Sequence, residues 1–222
     1  ARTSRRQCGT INAATGRMGM GLLFPQLPFG FDDLEPAMSQ DALSLHFTRH
    51  HLDHFERASA LARRVGLDHL TLDELVVSAS RASRLHTLYR HSAEAWNHAC
   101  FWRSMRAGGG GAAYGAIGDC LRQRFGSHER FARRFHGVAA TLFGNGWLWL
   151  TWKGDRIRLL TTGAGDTPLV RGHIVLLAVD LWEHAYYLDH QNRRGAWLRT
   201  FLDELVDWDR VNRVLEGREE SA

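Results

Sequence analysis

Apolar residues change their spacing along this chain, and each change marks a new kind of element. Pro25 and Pro28 bracket an extended entry, FPQLPFGFDDLEP. Helical spacing follows. Residues 41 to 64 read as one long amphipathic helix that carries Leu43, Leu45, His46 and His50, with Ser39 as its cap. Thr71 and Glu74 have the spacing of a capping box before a short helix. A further helix is expected from about 84 to 105, with Trp96, His98 and Trp102 on it. Two more are expected over 113–124 and, opened by Ser127, over 128–143. The pattern then turns strand-like. GWLWLTW (146–152) and RIRLLTT (156–162) flank Lys153, Gly154 and Asp155, which predicts a hairpin. HIVLLAVD (173–180) is an apolar run of the length of a buried third strand. Terminal helices are expected from about 182. Helices first, then a small sheet with helices, is an α+β arrangement. AGGGGAAYG (107–115) reads as a flexible joint between domains. The expected divisions are a basic arm over 1–23, a helical domain over 24–110 and an α/β domain over 111–222.

Composition narrows the class. Of 222 residues, 44% are hydrophobic and 23% charged, the balance of an ordinary globular protein. No apolar run is long enough to span a membrane. The formal charge is +4, and Lys153 is the only lysine. Such an excess can steer a small anion, or reflect contact with RNA or acidic protein. Three cysteines without a CxxC argue against a disulfide framework and against a thiolate zinc site, and favour a reducing compartment. The opening ARTSRRQCGTINAATGRMGMGLLF has several arginines and no acid before Asp32. It has the composition of an organelle transit segment, or of a disordered basic arm.

Candidate chemistry comes from three separated segments. His46, His50 and His54 recur every four residues and so share a helix face, with His51 beside them. His98 is framed by aromatics in AEAWNHACFW. Asp180 and His184 lie four apart in DLWEHAYYLDHQNR, again among aromatics. Taken singly, each fits a core histidine or a satisfied ion pair. Jointly, three imidazoles and a carboxylate suit iron, manganese or zinc. Trp96, Trp147, Trp149 and Trp182 can supply the apolar shell that such a site needs.

LPFGFDDLEPAMSQDALSLHFTRHH, AWNHACFW, FGNGWLWL and DLWEHAYYLDHQNRR, in that order, resemble the signature segments of iron/manganese superoxide dismutases. The likeness runs from about residue 24 to 215. It implies a long N-terminal helical hairpin and a C-terminal domain with a small three-stranded antiparallel sheet flanked by helices. It implies that His46, His98, Asp180 and His184 bind one metal ion per chain, iron rather than manganese on the context of Trp96. Superoxide would be converted to dioxygen and hydrogen peroxide. His50, His54, Glu94 and Tyr187 would surround the reacting centre, with Trp147 and Trp182 as walls. A homodimer is implied through Glu183, His184, Tyr187 and His50: Glu183 would reach the partner's His184, and Tyr187 the partner's His50.

Two positions depart from the family. A tyrosine is expected eight residues after the first ligand, where this chain has His54, a group that ordinarily titrates near neutrality. A glutamine is expected beside the solvent ligand, either where Glu94 stands or near Gly165 in TTGAGDTP. An ionised Glu94 would accept hydrogen bonds where glutamine donates one, and could reach the metal itself. The expected compartment is the mitochondrial matrix, with the bacterial cytoplasm as the alternative. The altered positions and the basic arm also fit a second reading, a dismutase-fold structural subunit of a larger organellar assembly such as a mitochondrial ribosome.

Overall fold

The computed structural model describes residues 22–222. Of the arm expected over 1–23, residues 1–21 lie outside these, as does Cys8. The first half is helical. Ser39 caps α1 (Gln40–Leu45) by accepting from the Ala42 amide at 3.2 Å. The rod continues through a π-helical segment, His46–His51, into α2 (Leu52–Arg64). A single regular helix over 41–64 was the expectation, and the widened turn corrects it. The Leu52 amide reaches back to Phe47, a step of five. That step lets His46 and His51, five apart, both face the interior, which a regular helix would not.

The predicted capping box opens α3 (Leu72–Ser80): Thr71 and Glu74 each bond the other's backbone. A short 3₁₀ turn, Ser83–Leu85, then leads into α4 (His86–Arg103). Every residue of α4 from Ser92 to Trp102 is buried. A helix apolar on nearly all sides has to be covered on all sides, and α2, α3 and the third strand do this.

The glycine stretch is a packed segment rather than a loose joint. The Arg106, Gly110 and Gly111 amides donate to the carbonyls of Leu205, Val206 and Asp203, and Trp208 Nε1 donates to the Gly111 carbonyl at 3.0 Å. Gly110 has a φ of +77°, and a Cβ there would collide with the Asp203 backbone. Glycine is needed for backbone contact, not for slack.

Helices α5 (Gly115–Phe125) and α6 (His128–Ala140) follow, the latter ending at Ala140 rather than 143. The sheet consists of β1 (Gly146–Trp152), β2 (Ile157–Gly163) and β3 (Ile174–Asp180), antiparallel in the order β2-β1-β3. The hairpin forms as predicted. Gly154 and Asp155 both have positive φ, as in a type I′ turn, and the Lys153 amide bonds the Arg156 carbonyl. The central strand β1 is buried throughout. Its register with β3 sets Trp147 opposite Asp180.

No helix starts at 182. The chain leaves β3 through a 3₁₀ turn, Glu183–Ala185, and a short α7 (Tyr187–His190). Then come α8 (Arg194–Thr200), a π-helical segment Phe201–Leu205 and α9 (Trp208–Leu215). Asp180 therefore ends a strand, and His184 stands on the turn after it. Their four-residue spacing brings them together without a helix.

Candidate metal centre

Four side chains from three parts of the chain meet at the junction of the helical half and the sheet. His46 comes from the π-helical segment, His98 from α4, Asp180 from the end of β3 and His184 from the following turn. One ligand atom from each lies within 4.8 Å of all the others, a grouping able to hold a metal ion. The Nε2 atoms of His184, His46 and His98 lie 3.1, 3.2 and 3.7 Å from Asp180 Oδ2. His46, His98 and Asp180 are buried, and His184 is partly open.

Two of the four ligands are aimed by a second contact. His98 Nδ1 donates to the Glu94 carbonyl one turn back, at 2.7 Å, which leaves Nε2 bare toward the cluster. Asp180 Oδ1 accepts from the Trp182 amide at 2.9 Å, which turns Oδ2 inward. Among the described residues, Nε2 of both His46 and His98 has no hydrogen-bond partner although buried. Orphaned buried nitrogens are costly. A cation supplies what they lack.

The electrostatics agree. Burial holds the His46 and His98 imidazoles below their usual range, so both are neutral donors. For Asp180, burial alone would raise the carboxyl. The close approach of His184 and His46 outweighs it and holds the group below the ordinary carboxylate range. Three imidazoles and one carboxylate offer nitrogen with carboxylate oxygen, a set that suits iron, manganese or zinc.

The surrounding shell is aromatic. Trp147 meets the His98 ring edge-on at 4.9 Å, and Trp182 stacks on His184 at 5.6 Å. Trp149 lies one layer out against Trp147 and Trp96. His51 was noted in the sequence only as a neighbour. It stacks on His98 at 5.3 Å, donates from Nε2 to the Ala95 carbonyl and accepts at Nδ1 from Trp102.

The other candidates divide. His50 packs on His184 with ring centres 3.9 Å apart, and burial lowers its pKa to about 3. His54 lies next to His50 at 4.8 Å. Burial, aided by His91, lowers the His54 pKa to about 4, so it is neutral at physiological pH instead of titrating there. Glu94 does not belong to the four-residue cluster. Its Oε2 accepts from Trp147 Nε1 at 3.0 Å and its Oε1 from the Gly165 amide at 2.5 Å. The two positions where a glutamine was expected are thus hydrogen-bonded to each other. Burial pushes the Glu94 pKa up to about 7 against those two donors, so the carboxyl is not simply ionised near neutrality. Tyr187 and Glu183 stay on the surface, outside the cluster. His91 was missed altogether. It precedes His98 by seven residues on α4, and that interval was the signal that both share one helix face.

With this geometry in place, two matches to known families account for most of the chain. Residues 22–106 match the alpha-hairpin domain of iron/manganese superoxide dismutases, and residues 113–214 match their C-terminal domain. An iron superoxide dismutase of Synechococcus elongatus is 36% identical over 190 residues, which are 86% of this chain and 94% of that protein. A chloroplastic iron superoxide dismutase of Arabidopsis thaliana is 37% identical, over 92% of this chain and 97% of that protein. A manganese superoxide dismutase of Rhizobium meliloti is 34% identical, over 89% and 98%.

Proposed function

The chain belongs to the iron/manganese superoxide dismutase family, and from that premise we propose that His46, His98, Asp180 and His184 hold the iron or manganese ion at which it consumes superoxide. The observation that carries this reading is the pair of orphaned, buried Nε2 atoms on His46 and His98, converging with His184 on one oxygen of Asp180. When bound, the ion supplies the one-electron oxidation of one superoxide and the one-electron reduction of another. The chain contributes the rest. Asp180 and three imidazoles hold the ion, Trp147 and Trp182 exclude bulk water, and His50 and His54 line the same side of the cluster. Relatives named as iron enzymes support iron over manganese. They also disfavour the structural-subunit reading. Metal analysis and a superoxide-consumption assay on one sample test the proposal. About one iron or manganese per chain with strong activity supports it. A filled site without activity overturns it.

Glu94 makes this an altered dismutase. Both its oxygens already accept, so it offers no N–H where the family has a glutamine amide. The Glu94→Gln variant is expected to be the faster enzyme at equal metal loading. A variant no faster than the parent removes this part of the reading.

Our assembly is a homodimer through Glu183, His184, Tyr187 and His50. Its support is the surface position of Glu183 and the exposure of Tyr187 and Leu188, 51% and 56%. Sedimentation at twice 25.2 kDa is the expected result, and a monomer at micromolar concentration rules it out. For the compartment, the basic first residues support an organelle, the mitochondrial matrix before others. Imaging the tagged chain in its own cells decides. The relatives are named chloroplastic or come from bacteria.

A further inference from the structure

Beside the metal cluster lies a second pair of histidines with an unusual contact. His54 on α2 and His91 on α4 face each other with their Nδ1 atoms 3.1 Å apart. Two bare nitrogens would repel at that distance, so one carries the hydrogen and the other accepts it. Both rings are held neutral, chiefly by burial, so the pair shares a single Nδ1 hydrogen. Which ring carries it decides what His54 presents to the site.

The surroundings favour one arrangement. His91 is only partly buried and lies in the field of Arg57 and Arg90, with Asp53 tied up in an ion pair to Arg57. A bare Nε2 on His91 is favoured near two guanidinium groups. A bare Nε2 on His54 is not favoured, because that ring lies beside His50 and His98, at a site that binds an anion. Hydrogen on Nδ1 of His91 and on Nε2 of His54 satisfies both ends.

We propose that His91 is a positioning residue for the dismutase reaction. Its Nδ1–H donates to His54 Nδ1 and holds His54 as the Nε2–H tautomer, a neutral hydrogen-bond donor for superoxide. This rests on the dismutase reading. His54 then offers one fixed donor, as a phenol would at the same place, and His91 replaces the covalent fixing of that hydrogen by a hydrogen bond. The device belongs to this chain's departure from tyrosine and needs both histidines.

Two variants test it. His91→Phe removes the donor, and His91→Gln keeps a side-chain N–H that can donate to His54 Nδ1. The Phe variant is expected to lose roughly five- to tenfold in kcat/KM, the worth of about one hydrogen bond. The Gln variant is expected within about twofold of the parent, with metal content and Tm unchanged in both. A second readout does not depend on activity. Nitrogen-15 histidine spectra of the full chain, loaded with zinc to avoid paramagnetic broadening, should show His54 as the Nε2–H tautomer in the parent and the Gln variant. In the Phe variant the spectra should show a mixture. Parent-like kinetics in the Phe variant, equal losses in both variants, or an Nδ1–H tautomer on His54 in the parent would each overturn the proposal. A fully loaded but inactive parent would overturn the dismutase reading instead, and the spectra would still decide which ring carries the hydrogen.

Discussion

Asp73 shows what burial does to a single group away from the metal. It lies partly buried against Trp96, whose indole N–H donates to it. Burial, offset in part by that hydrogen bond, raises its pKa to about 6 from an ordinary 3.8. The folded-state value lies above the unfolded one, so the group's contribution is fully present below about pH 4 and is lost as pH rises through about 6. The Asp73→Asn variant keeps an acceptor for Trp96 but cannot ionise. The parent should therefore lose on the order of 2 kcal/mol relative to the variant between about pH 4 and pH 8. Denaturant titrations of both at the two pH values read this directly, and parallel curves would refute it. The residue types of the metal centre were legible in the sequence, because imidazoles and a carboxylate among tryptophans have few other uses. The state of each was not. His54 and Glu94 were expected to be titrating and ionised respectively. Their shifts come chiefly from burial, which sequence spacing does not reveal; His91 on another helix adds to it at His54, and the Gly165 amide in a distant loop works against it at Glu94.

At the scale of the element, the π-helical segment His46–His51 does what a regular helix cannot. It turns a metal-site histidine and His51, the histidine stacked on His98, toward one side. Thr48 is an exposed residue within it. Deleting Thr48 should absorb the extra step into regular winding and leave His46 and His51 four residues apart, about 40° from each other on one helix face. The expected result is a folded, helical protein that keeps its metal; metal content reduced about tenfold or more in the deletion variant would show that the widened turn itself is needed to seat the site. A hydrophobic pattern over 41–64 could not expose this feature. Periodicity averages over many residues, and one inserted step leaves the average nearly unchanged. The strands were easier, since β1 and β3 are buried on both faces and carry runs of apolar residues that no solvent-facing element tolerates.

For the whole molecule, the cluster joins the two halves of the chain. His46 and His98 come from the helical half, Asp180 and His184 from the sheet half, and the glycine segment packs against the carbonyls of 203–206. A metal bound only by the folded chain stabilises it by about 4 kcal/mol when present at a thousandfold its Kd. For a protein of this size that is about 10 °C in Tm. Removing the metal with a chelator should lower the midpoint by about that amount, and returning iron or manganese should restore it. A midpoint indifferent to metal would mean that the four side chains do not share an ion.

The sequence alone determined the order of the main helices and strands, the caps of three helices and the hairpin, which follow from local spacing. It narrowed the site to histidines and an acid set among aromatics, and the likeness to the dismutase signature segments singled out His46, His98, Asp180 and His184. Tertiary structure decided the rest. It set His184 on the turn after β3, against Asp180, tied Glu94 to Gly165, paired His54 with His91 and turned four glycines into a packed seam. Each of these depends on the approach of residues far apart in the chain. No period or motif encodes such an approach, because it is settled only when the buried faces of α4 and β1 find their partners.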